Sequence, residues 1–263
     1  MSSPLFVLTR PLSVLTRPDD SLQVGLDTDG ALLIPSPPPG AEAAVRALRR
    51  PRTLLEVSRL VPAVPHTWLR ELVTLLVDAG LLHPVEPSMA HTVTVVGAGA
   101  LRDGLAHLLD ADGWSVRDDD GRAGGGLVVL CTPTAEPDRV LTRDLTSSGI
   151  PHLVVRAEPE RAVVGPFVTP GSSPCVGCSD LVRRDLDPGF PHLLAQLCRS
   201  EHVPAPRQAA WAAAMASAQL GAWRAGHRPE AVGATLELDA HSGSLGVRRW
   251  PRHPDCGCLL AAV

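Results

Sequence analysis

The 263 residues suffice for one large domain or two small ones, and either would bury a hydrophobic core. Apolar residues make up 44% and charged residues 20%, and no apolar run approaches the ~20 residues that span a bilayer. The net charge of −4 gives no electrostatic reason to expect nucleic acid. Because the N-terminus also lacks a secretory signal, we expect a cytoplasmic protein that binds neither membranes nor nucleic acid.

The first predicted region, residues 1–85, contains three short strands followed by three helices. The strand-like runs are PLSVLTR, SLQVGLD and ALLIP, separated by the turn-forming PDD and TDG. Helices are predicted over 42–48, 54–60 and 67–79. The last helix carries an apolar stripe formed by Leu69, Leu72, Val73, Leu76 and Val77. Three strands followed by three helices is the order of a small winged-helix-like domain.

A second region, residues 86–263, follows the proline-containing break HPVEPSMAHT. Strands alternate here with helices, beginning with the buried strand TVTVVGAGA and the amphipathic LRDGLAHLLDADG. Later strands are WSVRDDD, GLVVLCTPT, PHLVVRAE and AVVGPFVTPG, and an alanine-rich helix precedes a hairpin over ATLELDAHSGSLGVRRW. The alternation predicts an α/β fold in which helices cover a parallel sheet.

The glycine-rich turn after the first of these strands matches only part of a dinucleotide-binding fingerprint. Gly97 and Gly99 occupy the first two glycine positions of G-x-G-x-x-G, but the third position is Arg102. A partial match more often marks a strand–turn–helix without a nucleotide, so we interpret it as a vestigial nucleotide turn. The acids at 118–120 are either a ribose-binding group or a solvated turn.

Two close cysteine pairs lie far apart in the second region. Cys175 and Cys178 form a C-x-x-C, and Cys256 and Cys258 form a C-x-C. Two such pairs predict one structural Zn²⁺ held by four thiolates, which leaves no open position for catalysis. The alternative is a redox C-x-x-C. It is disfavoured because Cys175 lies in a Pro/Gly loop rather than at a clear helix N-terminus. His253 is a possible substitute ligand.

Three segments together carry a resemblance to a known family: the Gly-Ala-Gly turn, VGPFVTPGSSPCVGCSDLVRRDLDPGFPHLLAQL, and the terminal HPDCGC. They resemble the ThiF-like adenylating-enzyme superfamily, and most of all its ocin-ThiF-like branch in clusters for ribosomal peptides (RiPPs) of the TOMM and thiopeptide type. Members of this branch carry an N-terminal RiPP recognition element similar to PqqD. The resemblance implies that element for residues 1–85, and a degenerate Rossmann-like, ThiF-type scaffold for residues 86–263.

The active adenylating enzymes of the superfamily hold ATP with a complete glycine turn and with Arg, Asn and Lys side chains. This chain has an incomplete turn and contains no Asn and no Lys. Arginine replaces a phosphate-binding lysine only in part. We therefore expect no ATP cofactor and no catalysis. The alternatives are an ATP-dependent adenylating enzyme, a Rossmann oxidoreductase that uses Gly97 and Gly99, and a thiol–disulfide protein that uses Cys175 and Cys178.

The resemblance implies that the protein binds the leader of a precursor peptide and delivers it to a YcaO-type cyclodehydratase, which forms azoline rings. It also implies a homodimer through residues 86–263. The leader would add a strand to the N-terminal sheet and pack against the third helix. The predicted peptide-binding residues are Ala31, Leu32, Leu33, Ile34, Trp68, Leu69, Leu72 and Leu76, although a helical stripe is more often core. A basic run, Arg46, Arg49, Arg50 and Arg52, is either a solvated surface or a means of steering an acidic leader.

Overall fold

The computed structural model describes residues 4–9, 12–26, 31–85, 91–118 and 126–258. The chain divides into two compact units, Met1–Met89 and Ala90–Val263. The division falls inside the proline-containing break. Among the described residues, no helix is both long enough and apolar enough to cross a membrane.

The first unit contains two small antiparallel sheets. Its strands are β1 (Leu5–Leu8), β2 (Val14–Thr16), β3 (Leu22–Val24), β4 (Leu32–Ile34), β5 (Arg52–Thr53) and β6 (Leu82–Val85). The three predicted runs form one sheet in the order β2-β3-β4. The other sheet, β5-β1-β6, was not predicted. It pairs the first strand of the unit with the last, and local sequence patterns do not report such distant pairing.

Three helices complete the first unit: α1 (Ala41–Ala47), α2 (Leu54–Leu60) and α3 (His66–Asp78). Helix α2 begins at a capping box, in which Thr53 Oγ1 accepts from the Glu56 N–H at 3.2 Å and Glu56 Oε2 accepts from the Thr53 N–H at 2.7 Å. The predicted stripe on α3 is buried except for Val77, which is exposed. The helices and the inner face of the β2-β3-β4 sheet thus enclose one hydrophobic core.

The second unit is built on one mixed sheet of seven strands. These are β7 (Thr92–Gly97), β8 (Ser115–Arg117), β9 (Leu127–Thr132), β10 (His152–Ala157), β11 (Arg161–Val168), β12 (Ala234–Asp239) and β13 (Leu245–Arg249), in the order β13-β12-β11-β10-β9-β7-β8. Strands β8, β7, β9 and β10 are parallel, as expected. The prediction of a parallel sheet was wrong for β11, which runs antiparallel to both of its neighbours, while the predicted hairpin forms β12 and β13. Only three residues join β10 to β11, too few for the crossover that a parallel pair needs.

The second unit has five described helices: α4 (Ala100–Ala111), α5 (Arg139–Ser147), α6 (Val176–Leu186), α7 (Phe190–Leu197) and α8 (Pro206–Arg224). Helix α7 packs against α6, and the other four cover the two faces of the sheet. Helices α4 and α8 pack on one face, where Leu105, Ala216 and Leu220 contact the strands. Helices α5 and α6 contribute Leu145 and Val176 to the opposite face. The glycine turn therefore lies at the carboxyl end of β7, and the C-x-x-C lies at the start of α6.

Candidate functional site

The four predicted metal ligands lie together, although 77 residues of chain separate the two pairs. The Cys175 and Cys178 Sγ atoms are 4.0 Å apart, and each lies 3.6 Å from a sulfur of the second pair, Cys256 and Cys258 respectively. All four sulfurs lie within 4.8 Å of one another. A tetrahedral zinc with bonds of about 2.3 Å needs sulfur–sulfur separations of about 3.8 Å. The cluster therefore has the size of a tetrathiolate metal site.

The start of α6 sets the position of the first pair. Cys175 is the N-cap residue, and its carbonyl accepts from the Cys178 N–H at 3.1 Å. The expectation that Cys175 lies away from a helix N-terminus was therefore wrong, because the helix begins at Val176 directly after the Pro/Gly loop. This removes one argument against a redox pair. The close approach of Cys256 and Cys258 is a new argument against a redox pair, since a redox dithiol needs only its own two thiols.

The thiols differ in acidity because they share hydrogen bonds. The hydrogen bond from the Cys175 thiol lowers the pKa of Cys178 to about 4, against the effect of burial and with help from the His253 N–H. The same hydrogen bond, together with burial, raises the pKa of Cys175. Burial raises the pKa of Cys258 to about 11. Ionisation of all four thiols thus requires a cation among them, which a bound metal ion supplies.

His253 is not the substitute ligand considered above, because both of its ring nitrogens have other partners and it stabilises the turn that carries Cys256. Its Nδ1 accepts from the Asp255 N–H at 3.1 Å, so Nε2 carries the proton and donates to Asp185 Oδ2 at 2.8 Å. The His253 carbonyl accepts from the Cys256 N–H at 3.0 Å. Sequence reasoning missed Asp185, whose position on α6 gives no local signal of this contact.

The glycine turn has a purely structural reason for at least one of its glycines. A Cβ on Gly97 would lie 1.9 Å from the Cys131 carbonyl oxygen of the neighbouring strand β9, and Gly97 has φ of 128°. Gly99 has φ of 86°, with open space around the position of a Cβ. Arg102, in the third glycine position, forms an ion pair with Asp118 at 2.7 Å. Arg102, which replaces the third glycine of the fingerprint, is thus paired with Asp118, one of the acids that could bind a ribose. Positions 119 and 120 lie outside the described residues.

A buried charge network lies at the carboxyl ends of β9 and β10, where open α/β sheets bind ligands. Glu136 is buried and contacts three guanidinium groups: Arg183 at 2.6 Å, Arg139 at 2.8 Å and Arg156 at 3.3 Å. Burial opposes ionisation, but these charges outweigh it and lower the pKa of Glu136 to about 2. Arg139 also makes a two-point contact with Asp180. Sequence reasoning missed this network, since its members lie on four separate elements.

The chain itself covers the end of β9. The Ala135 N–H donates to the Ser200 carbonyl at 3.0 Å, and the His202 N–H donates to the Pro133 carbonyl at 2.8 Å. The connection between α7 and α8 thus runs along the residues that follow β9. The edge that would hold a nucleotide carries paired charges and a hydrogen-bonded segment of the protein.

The predicted peptide-binding residues divide into two groups. Leu69, Leu72, Leu76 and Ile34 are buried in the core of the first unit, while Ala31, Leu32 and Trp68 are half-buried and Leu33 is 50% exposed. In the basic run, Arg46 pairs with Glu42, and Arg49 donates to the Leu12 carbonyl at 2.8 Å. Peptide binding at these residues stays a prediction. Of the eight, only Leu33 and the half-buried Ala31, Leu32 and Trp68 have surface that a peptide could contact.

No family model matches the sequence, and no curated protein matches it significantly. The fold is similar to solved structures of the heterocyclase TruD (TM-score 0.61, 16% identity, covering 97% of this chain and 43% of that chain) and of a heterocyclase in complex with substrate and cofactor (0.67, 15%, 98% and 40%). It is also similar to E. coli MccB with AMPCPP and MccA (0.56, 11%, 97% and 99%). The chain thus spans less than half the length of the two heterocyclases and almost all of MccB. At these identities the similarity establishes the fold alone.

Proposed function

We propose that this protein is a non-catalytic scaffold that binds the leader of a ribosomally made precursor peptide and delivers it to a YcaO-type cyclodehydratase. The N-terminal unit would act as the PqqD-like recognition element, and the four cysteines would hold a structural Zn²⁺. The observation that carries the proposal is a free strand edge on β4. The solved structures that share this fold support the proposal, since TruD is a heterocyclase and MccB was solved together with MccA.

The hydrogen-bond phase of the β2-β3-β4 sheet identifies the residue that a peptide would meet. The Arg17 N–H donates to Ser21, and the Gly25 N–H donates to Ser13. Because bonded and non-bonded pairs alternate along antiparallel strands, Gln23 bonds towards β2, and its neighbours on β3 bond towards β4. Strand β4 then uses Leu32 and Ile34 inside the sheet. Both backbone groups of Leu33 point outward, and no described residue bonds to them.

The other edge of the same sheet is less available. Helix α1 packs against β2, and the Arg49 guanidinium already bonds the Leu12 carbonyl at that side. Leu15 and Leu33 flank Gln23 in one row on the outer face, and about half of each side chain is exposed. A peptide strand on β4 would therefore gain main-chain bonds from Leu33 and apolar contact from its side chain.

We propose that the protein is not catalytic because the end of the sheet where a nucleotide would bind carries side chains that are already paired with one another. Arg102 and Asp118 neutralise each other, and the Glu136 network uses the arginines at the carboxyl ends of β9 and β10. A phosphate ligand would have to displace these carboxylates from their cations. The second candidate is an ATP-dependent adenylating enzyme, which the fold shared with an AMPCPP complex of MccB favours.

The proposal expects a short precursor peptide to be encoded next to this gene. The test is titration of the full-length protein into a fluorescently labelled synthetic leader of that peptide. Leu33→Pro removes the outward N–H while leaving the bonds of Leu32 and Ile34 to β3, so it should weaken binding about tenfold or more without unfolding the unit. Leu33→Thr keeps the N–H and a strand-forming side chain and should retain most of the affinity.

Equal affinity of a folded Leu33→Pro protein and the wild type would place the leader elsewhere. Calorimetry with ATP, and a pyrophosphate assay with the precursor present, separate the two candidates. Release of pyrophosphate would contradict the scaffold proposal and support the adenylating-enzyme candidate.

A further inference from the structure

The buried charge network at the carboxyl ends of β9 and β10 places three guanidinium groups on a single carboxylate. Glu136 is 4% exposed, and Arg139, Arg156 and Arg183 contact it from α5, β10 and α6. Three cations exceed what the charge of one carboxylate requires, and clustered arginines are typical of sites that bind anions. What such a site can do depends on whether the cations keep their positions without Glu136.

Two of the three guanidinium groups have a carboxylate of their own. Arg139 makes a two-point contact with Asp180, at 2.7 and 2.9 Å. Arg156 contacts Glu158 at 3.3 Å. Removal of Glu136 would therefore leave both groups held in place, each with a counter-ion.

Arg183 is held in a different way. Its guanidinium carbon lies 4.8 Å from the centre of the Trp250 ring and 5.3 Å from that of Phe190. These cation–π contacts fix the position of the group without neutralising its charge. Among the described residues, Glu136 is the only carboxylate that pairs with Arg183. The site without Glu136 thus has a surplus of one positive charge, at Arg183.

The backbone that carries Glu136 is also fixed independently of its side chain. The Glu136 N–H donates to the Leu197 carbonyl at 3.3 Å, and the Ala135 N–H donates to the Ser200 carbonyl at 3.0 Å. The Glu136 carbonyl accepts from Thr134 Oγ1 at 2.7 Å. Because these bonds hold the segment, loss of the side chain would leave a gap beside three positioned cations.

The cluster is separate from the glycine turn. Residues two apart in a strand lie on the same face of the sheet, so Arg156 lies on the face of Val154, which α5 and α6 cover. The glycine turn leads into α4, which packs on the opposite face. The side chains of Arg139 and Arg183 are 18% and 21% exposed, so a small ion in solution has access to them.

We propose that Arg139, Arg156 and Arg183 form a preformed binding site for one carboxylate, and that Glu136 is the chain's own occupant of this site. The contact is autoinhibitory, since it closes the site to a carboxylate of another molecule. A carboxylate is the ligand class that fits, because a monoanion balances the single surplus charge and its two oxygens match the parallel donors of a guanidinium. This site is independent of leader binding by the first unit.

Chemical rescue of the full-length protein with acetate tests the proposal. Glu136→Ala removes the group CH₂–COO⁻, which acetate replaces. With a dissociation constant of about 10 mM, acetate at about 200 mM should raise the Tm of this variant by about 5 °C relative to chloride of equal ionic strength. The increase should saturate with acetate concentration.

Two controls have a filled site and should show no acetate-specific shift. They are the wild type and Glu136→Gln, whose amide removes the charge but keeps the gap closed. A folded Glu136→Ala protein without an acetate-specific shift, or equal shifts in all three proteins, would overturn the proposal. If Glu136→Ala is unfolded in chloride, recovery of the native circular dichroism in acetate becomes the readout, and a lack of recovery counts against the proposal.

Arg183 supplies a second test, since it carries the surplus charge. Arg183→Met in the Glu136→Ala background removes that charge and keeps a flexible side chain of similar length against Trp250. The double variant should lose the acetate shift. A shift that persists in the double variant would show that acetate binds elsewhere, and the proposal would fail.

Discussion

The cysteine cluster and the glycine turn are both motifs of the second unit that resemble ligand-binding sites. They differ in whether their polar groups have a partner of opposite charge within the chain. The thiols of Cys175 and Cys256 approach to 3.6 Å and face one another. At the glycine turn, the guanidinium of Arg102 and the carboxylate of Asp118 form an ion pair with each other. One motif thus presents four like groups with no counter-charge among them, while the other carries its counter-charge within the chain.

The difference follows from the chemistry of the groups. Four thiolates cannot neutralise one another, because each ionisation raises the cost of the next, so full ionisation of the cluster needs a cation. A guanidinium and a carboxylate, by contrast, neutralise one another's charge. A motif whose geometry matches a ligand site therefore indicates ligand binding only if its polar groups are not already paired with other groups of the chain. Three experiments test this difference, at the cysteine cluster, at the Glu136 network and at the glycine turn, in order of decreasing effect.

The largest effect is expected for Cys178→Ser. Structural zinc supplies about 10–16 kcal/mol in small zinc domains, so loss of one ligand should release the metal and destabilise the second unit by more than ~5 kcal/mol. The matched control is Cys198→Ser, since Cys198 is a half-buried thiol outside the cluster. Metal analysis should find about one zinc per chain in the wild type and the control. Freshly purified, reduced wild type without zinc would contradict the expectation.

A smaller but still large loss is expected for Glu136→Gln, which removes the buried carboxylate that Arg139, Arg156 and Arg183 share. Arg156 keeps only its contact with Glu158, at 3.3 Å. Breaking a buried ion pair on one side costs about 3–5 kcal/mol. The pKa of Glu136 is lowered from 4.5 to about 2, so its stabilisation is complete above the unfolded value and is lost as the pH falls towards 2.

Urea unfolding between neutral and acid pH measures this effect. The stability gap between the wild type and Glu136→Gln should narrow as the pH falls below about 4.5, where the unfolded carboxyl begins to protonate. A gap that is constant over that range would show that the Glu136 charge is not what the network needs. Glu230→Gln, at an exposed ion pair, serves as the control and should change stability by at most about 1 kcal/mol.

The smallest of the three effects separates the two glycines of the turn. Gly97→Ala combines an unfavourable φ with a Cβ 1.9 Å from the Cys131 oxygen, so it should cost about 2–4 kcal/mol. Gly99→Ala has the φ penalty without the clash and should cost only about 1–2 kcal/mol. Equal losses in thermal unfolding would show that the turn is not held by the strand–strand approach at Gly97.

Much of the secondary structure could be predicted because its signals are local. The stripe on α3 and the β12–β13 hairpin follow from the side-chain periods of helices and strands and from turn residues. The β5-β1-β6 sheet could not be found in this way, since strands as short as Arg52–Thr53 carry no period. The antiparallel direction of β11 was missed although its signal was present, in the short link between β10 and β11.

For the candidate sites, the sequence by itself determined which groups are available: four cysteines in two pairs, an incomplete glycine turn, and a chain without Asn or Lys. The spacing also predicted that the two cysteine pairs meet, but only the tertiary structure shows their contacts and those of the charged groups. It brought Cys178 to Cys258, paired Arg102 with Asp118, and surrounded Glu136 with arginines from three elements. The physical reason is that thiols and charges act over a few ångströms, and the packing of helices on both faces of the sheet sets those distances.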